Sequence, residues 1–114
     1  MEGEIYWTDL GTAIGKEMDK VRPTLIAQTN RLTSVSPDTV IVVPLSTDLH
    51  TRPVERLGIP LLRIMPRDRL QYESVVLVDQ IRAVSIQRFK PPGFLTQLSP
   101  PEMWVVRNGI NAIL

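Results

Sequence analysis

"TVIVVPL", residues 39–45, sets four aliphatic β-branched side chains in one unbroken run, Val40, Ile41, Val42 and Val43. Such residues suit an extended chain, and a run without polar alternation predicts a strand covered on both faces. Pro44 has no N–H to donate to a ladder, so the strand is expected to stop there. Upstream, "EIYWTDL" (4–10) reads as a strand punctuated by Gly3 and Gly11, and residues 11–21 as a glycine-containing, charged loop. Residues 24–28 read as a second strand, with Arg22 just before it and Pro23 fixing the backbone between them. "TNRLTSVSPD" (29–38) is turn-rich and leaves room for one helical turn at most.

Downstream, "STDLHTRPVERLG" (46–58) is a polar loop, and "IPLLRIM" (59–65) is a strand with Leu62 and Ile64 on one face and Arg63 on the other. "PRDRLQYES" (66–74) is a turn. "VVLVDQIRAVS" (75–85) is the second strong strand, broken at Asp79-Gln80, where the chain bends or meets a polar site. Ser99 followed by Pro100, Pro101 and Glu102 is a capping box, and Met103, Val106, Ile110 and Ile113 recur at helical spacing. A C-terminal helix over about 100–113 follows, with Gly109 costing it about 1 kcal/mol against alanine. Strands followed by a helix, without alternation, exclude a doubly wound fold. They predict a mainly β, α+β chain: a small antiparallel sheet curled into a partial barrel and packed on the terminal helix. At 114 residues this is one domain, 1–114.

Hydrophobic residues at 43% and charged residues at 22% are an ordinary globular balance, and the net charge is only +1. The charge is unevenly spread. Residues 1–20 hold five acids against two lysines, whereas 50–90 hold eight basic residues against four acids. An anionic ligand would favour the second segment if folding gathers its arginines. With no cysteine there are no disulfides, thiolate metal sites or cysteine nucleophile, and a reducing cytoplasm is expected. "MEGEIYW" has no apolar core of a signal peptide, and no apolar run is long enough to span a bilayer, so a soluble protein is expected.

His50, the one histidine, has no cysteine or second histidine to join it at a metal, and no G-x-S-x-G elbow, P-loop or G-x-G-x-x-G is present. No metal or cofactor is implied. An exposed loop position suits His50. Asp79 and Glu73 share no spacing rule, and a hydrogen bond from neighbouring backbone suits Asp79 better than a catalytic pairing. What remains is arginine and hydroxyl chemistry at strand ends, Arg22 at one and Ser46-Thr47 at another. A planar, always-protonated guanidinium fits phosphate oxygens and makes a poor base.

The blocks "GEIYWTDL", "GKE", "VRPTLIAQ", "TVIVVPLST" and "SVVLVDQIRAVS", in this order and spacing, resemble the MazF/PemK/Kid toxins of bacterial toxin–antitoxin systems. The matched blocks cover 3–28, 39–47 and 74–89; the stretch 48–70 is this chain's own. The resemblance implies an SH3-like, CcdB-like barrel packed on helices, assembled as a homodimer. It implies metal-independent cleavage of single-stranded RNA at short sequences, by 2′-hydroxyl attack that leaves a 2′,3′-cyclic phosphate and a 5′-hydroxyl. DNA lacks that nucleophile and is no substrate. A cognate antitoxin would lay a flexible acidic tail across the RNA groove, in the cytoplasm and away from any membrane.

Carried over by position, the family's R-P arginine falls on Arg22, which would stabilise the phosphorane and share in proton transfer. The strand-end hydroxyl falls on Ser46, with Thr47 adjacent, to hydrogen-bond the scissile phosphate. Lys16, Glu17, Lys20, Thr47, His50, Arg52, Asp79 and Gln80 are expected along the RNA groove. Two departures stand out. Some relatives carry histidine where this chain has Lys16, and arginine where it has Leu77; their acid–base scheme pairs that arginine with the aspartate matching Asp79. Leu77 cannot serve it, so the chemistry is expected to rest on Arg22. Arg82 is expected to be structural. Two alternatives stand beside it: a CcdB-like gyrase poison, which would need a terminal Trp-Gly-Ile element absent from "WVVRNGINAIL", and a degenerate, non-catalytic homologue acting as a binding module. An SH3-like peptide groove would need clustered aromatics, and the aromatics here are scattered along the chain.

Overall fold

The structure, a computed structural model, describes residues 1–11, 20–35 and 38–114. Its elements run β1 (Glu4–Asp9), β2 (Val21–Ile26), α1 (Asn30–Val35), β3 (Thr39–Ser46), α2 (Pro53–Arg56), β4 (Arg63–Ile64), β5 (Ser74–Val76), β6 (Arg82–Ser85), β7 (Phe89–Gln97) and α3 (Pro100–Ile113). Short 3₁₀ turns, Val78–Gln80 and Ile86–Arg88, flank β6. The strands form one curled antiparallel sheet in the order β4-β5-β3-β2-β1-β7, with β6 also paired to β3.

Strand β3 is the centre of this sheet. It pairs with β2 through Thr24↔Pro44, Leu25↔Val43 and Ile26↔Val42. Its start also pairs with β6, Thr39↔Ser85 to Val42↔Arg82, and its end with β5, Leu45↔Val76 and Ser46↔Val75. The residues read as one strand, 75–85, are therefore two. The 3₁₀ turn at Val78–Gln80 steps the register by three residues between them, and this is the bend expected at Asp79-Gln80.

Both faces of β3 are buried, as its composition predicts. Val43 and Leu45 join Ile5, Leu25, Val76 and Val106 in the main core, whereas Val40 and Val42 pack with Leu10, Ile26 and Val84 on the other face. Ile41 is half-buried. Alternation along a strand makes this division, odd residues to one cluster and even ones to the other.

Several boundaries differ from the sequence reading. Strand β2 begins at Val21, so Arg22 and Pro23 lie inside it, where Pro23 sits opposite Trp7. Strand β3 continues through Pro44 to Ser46. A proline still accepts, and Leu77 N donates to Pro44 O at 3.0 Å, so the ladder is not broken there. Residues 30–35 form the six-residue helix α1 with no buried side chain, and the polar loop 46–58 contains α2. The expected strand 59–65 shrinks to Arg63–Ile64, with Ile64 buried and Arg63 exposed. Strand β7 was not legible, since Pro91-Pro92-Gly93 reads as a breaker; it pairs with β1 through two register shifts that absorb the irregular residues.

Helix α3 occupies the expected span, with both capping-box bonds made: Glu102 N donates to Ser99 Oγ at 3.4 Å, and Ser99 N to Glu102 Oε1 at 2.8 Å. Gly109 is buried in it. A Cβ there would come within 3.3 Å of Val78 Cγ2, so the missing side chain lets the helix lie close on the 3₁₀ turn. Arg67 grips the other end of α3, donating to both Glu102 oxygens at 2.9 Å and to Gln97 O at 2.8 Å.

Burial alone would raise the Glu102 carboxyl, but hydrogen bonds from Arg67 and Ser99 outweigh it and hold the group below the ordinary 4.5. A depressed carboxylate stabilises the fold above its unfolded-state value, and that stability is lost as pH falls through the folded value. Glu102→Gln is therefore expected to lower the melting temperature at pH 7. Thermal melts of both proteins should converge as the pH drops below the ordinary glutamate range; an unchanged gap at low pH would contradict the linkage.

Candidate functional site

The β2–β3 register fixes the centre of the site. The ladder's last pair toward the site is Thr24 opposite Pro44, and Arg22 and Ser46 each lie two residues beyond it on their own strands. Arg22 is half-buried, and its Nη1 reaches toward Leu45 O at 3.5 Å. On its other side Arg22 pairs with Thr8 of β1. Thr8 and Thr24 are fully buried and share a hydroxyl hydrogen bond of 2.7 Å; Thr8 also donates to Tyr6 O at 3.1 Å. The arginine thus rises from a three-stranded platform whose polar groups are satisfied internally, which limits its freedom.

Ser46 closes β3 and is buried. Its Oγ accepts from Asp48 N at 3.1 Å and from Arg52 Nη2 at 3.2 Å. Arg52 Nη2 also donates to Asp48 O at 3.1 Å, and its guanidinium lies 3.9 Å from Asp48 Oδ2. His50 is exposed, as expected; its Nδ1 meets Asp48 Oδ1 at 2.6 Å while its backbone N–H donates to the same oxygen at 3.2 Å. The Asp48 carboxyl is held below the usual aspartate range, chiefly by the side-chain hydrogen bond with His50. Residues 46–52 are in this way a loop tied by its own polar groups.

Beside this loop lies a cleft of about 290 Å³ walled by Trp7, Pro23, Thr47, Leu70 and Tyr72, with Arg69 among its polar lining. Pro23 and Thr47 are the chain neighbours of Arg22 and Ser46, which do not themselves line the cleft. Trp7, Arg69 and Tyr72 were not singled out from sequence. Trp7 is far along the chain from Arg69 and Tyr72, and only the fold brings the two segments to one wall.

The other expected residues fall as follows. Lys16 and Glu17 lie outside the described residues. Lys20 is exposed with a left-handed backbone (φ 65°), and closes the base of its loop: Lys20 N donates to Gly11 O at 2.7 Å and Leu10 N to Lys20 O at 3.0 Å. Thr47 is exposed on the cleft. Asp79 and Gln80 sit on the 3₁₀ turn that packs against α3 and the end of β3. The Asp79 carboxylate is exposed and has no hydrogen bond among the described residues, so the backbone bond expected for it is not made. Leu77 is a core residue, and Arg82 sits in the sheet opposite Val42. Among the described residues no three His, Cys, Asp or Glu side chains converge as a metal site.

Three comparisons bear on this arrangement. The whole chain, residues 1–114, matches the family described as PemK-like, MazF-like toxin of type II toxin–antitoxin system. It is 32% identical over 114 residues to an endoribonuclease MazF of Staphylococcus saprophyticus, covering 98% of this chain and 88% of that one. Its fold is similar to the crystal structure of a Deinococcus radiodurans MazF, with a TM-score of 0.75, 18% identity and coverage of 97% and 92% of the two chains. It is also similar to a mycobacterial endoribonuclease solved with its cognate antitoxin, with a TM-score of 0.70, 21% identity and coverage of 98% and 91%.

The Asp48–His50 contact has its own test. Removing the imidazole in His50→Ala should raise the Asp48 carboxyl toward the ordinary aspartate value, followed by carbon-detected NMR titration. No movement of the Asp48 midpoint would mean that the contact is not made in solution.

Proposed function

This chain belongs to the PemK-like, MazF-like toxins of type II toxin–antitoxin systems, and from that premise we propose that Arg22 and Ser46 form the centre at which it cleaves single-stranded RNA. The observation that carries this reading is the half-buried Arg22 guanidinium, which reaches the Leu45 carbonyl at 3.5 Å, one residue from the buried Ser46 hydroxyl at the end of β3.

The chemistry follows from those groups. The ribose 2′-oxygen attacks phosphorus in line and loses its proton, and the P–O5′ bond breaks as the 5′-oxygen gains one. A 2′,3′-cyclic phosphate and a 5′-hydroxyl result. Charge builds on the non-bridging oxygens of the pentacoordinate phosphorane, and fixed donors aimed there stabilise it more than the ground state. Arg22 supplies the planar, permanently charged donor, and Ser46 a neutral one. Trp7 and Tyr72 give the neighbouring cleft aromatic faces on which an unpaired base can stack, which suits single strands over duplex. Thr47, on the cleft wall, contacts the same strand.

Assembly as a homodimer, action in the cytoplasm, and an antitoxin that lays an acidic, flexible tail over the cationic loops belong to this reading. An antitoxin partner is supported by the mycobacterial relative, which was solved with its cognate antitoxin.

Incubation with a long unstructured RNA in EDTA tests the proposal. Cuts restricted to a short sequence and bearing 5′-hydroxyls are expected, with a 2′-deoxy substitution at the cut site blocking cleavage. Arg22→Ala should lower the rate by about 100- to 1,000-fold, the scale of losing a preorganised oxyanion donor. Intact RNA, or cutting that Arg22→Ala leaves unchanged, would overturn it.

A further inference from the structure

A serine hydroxyl has one proton to donate and two lone pairs with which to accept. At Ser46 both lone pairs are engaged, by Asp48 N at 3.1 Å and by Arg52 Nη2 at 3.2 Å. The remaining O–H proton has no acceptor among the described residues. A hydroxyl in this state can act only as a donor, toward an acceptor that arrives from outside. An anionic phosphate oxygen beside Arg22 is such an acceptor.

Arg52 is the unusual partner. Its side chain is 24% exposed, and Nη2 is turned inward onto Ser46 Oγ and Asp48 O. Its Nε is buried with no hydrogen-bond partner among the described residues. An unpaired buried N–H is costly, so stability alone does not favour this placement. Helix α2 holds it there: Arg52 N donates to Glu55 Oε1 at 3.0 Å at the start of that helix.

We propose that Arg52 is a positioning residue for RNA cleavage: it holds Ser46 as an obligate hydrogen-bond donor to a non-bridging oxygen of the scissile phosphate. This rests on the Arg22–Ser46 reading above. A cation donating to the hydroxyl oxygen polarises the O–H bond, and the gain grows as charge develops on the acceptor. The effect therefore falls on the transition state and on kcat more than on KM. Arg52 lies in the stretch 48–70, outside the sequence blocks that carry the resemblance, and the contact is read from this chain's own geometry.

The test is a double-mutant cycle on steady-state cleavage in EDTA, with thermal melts confirming that each variant folds. Arg52→Ala should lower kcat by about 10- to 100-fold, the scale of a misaligned reacting group, with KM changed less than about twofold. Arg52→Lys keeps a cationic donor and should recover part of the rate. In a Ser46→Ala background, adding Arg52→Ala should change kcat by less than about twofold, because the group it positions is gone. A loss that falls on KM, or one of equal size in the Ser46→Ala background, would overturn the proposal, since Arg52 would then contact RNA itself or act elsewhere. Cleavage unchanged by both Arg22→Ala and Ser46→Ala would overturn the site assignment, and the role of Arg52 with it.

Discussion

The pairing of β2 with β3 is the constraint on which the rest depends. Strand β3 is apolar on both faces and cannot slip by one residue without moving Val43 and Leu45 out of one core and Val40 and Val42 out of the other. A doubly buried strand thus locks its own register against β2. That same pairing brings Arg22, two residues before Thr24, to the end of β3, where its guanidinium reaches Leu45 O beside Ser46. The hydrophobic effect supplies the precision, and the polar site at the strand end inherits it. A guanidinium on a free loop would lose much of its value to rotamer freedom; one rooted in a paired strand does not.

The surroundings of Ser46 divide the labour differently. Its position comes from β3, but its orientation comes from the loop after it, through Asp48 and Arg52. That loop is polar and held by short-range hydrogen bonds rather than by a core. The two halves of the site are therefore governed by different forces, burial for Arg22 and local polar bonding for Ser46. Salt and pH act on the second more readily than on the first.

Much of the fold was legible because its signals are local. The β-branched run at 40–43, the capping box at Ser99 and the break at Asp79-Gln80 each declare a structure within a few residues. The extent of β3 past Pro44 was not legible, since only the fold shows which of its backbone groups the ladder needs. Strand β7 was hidden because Pro91-Pro92-Gly93 looks like a stop, and its pairing with β1 is non-local. Gly109 was read as a weakness of α3, whereas the contact with Val78 shows what its missing Cβ permits. At the candidate site, Arg22, Ser46 and Thr47 were legible as an arginine and hydroxyls at strand ends and by their family positions. Trp7 and Tyr72 were not, because a cleft built from distant segments leaves no spacing in the sequence. Arg52 was expected along the RNA groove, and only the fold shows its head turned onto Ser46.

The central claim is that Arg22 and Ser46 act on one phosphate. A crystal structure with a short single-stranded RNA, made uncleavable by 2′-deoxy substitution at the cut site, tests it most directly. The account predicts the scissile phosphate within hydrogen-bond distance of both the Arg22 guanidinium and Ser46 Oγ, with a neighbouring base in the cleft between Trp7 and Tyr72. A phosphate held by either group without the other, or an RNA path that avoids the end of β3, would contradict it.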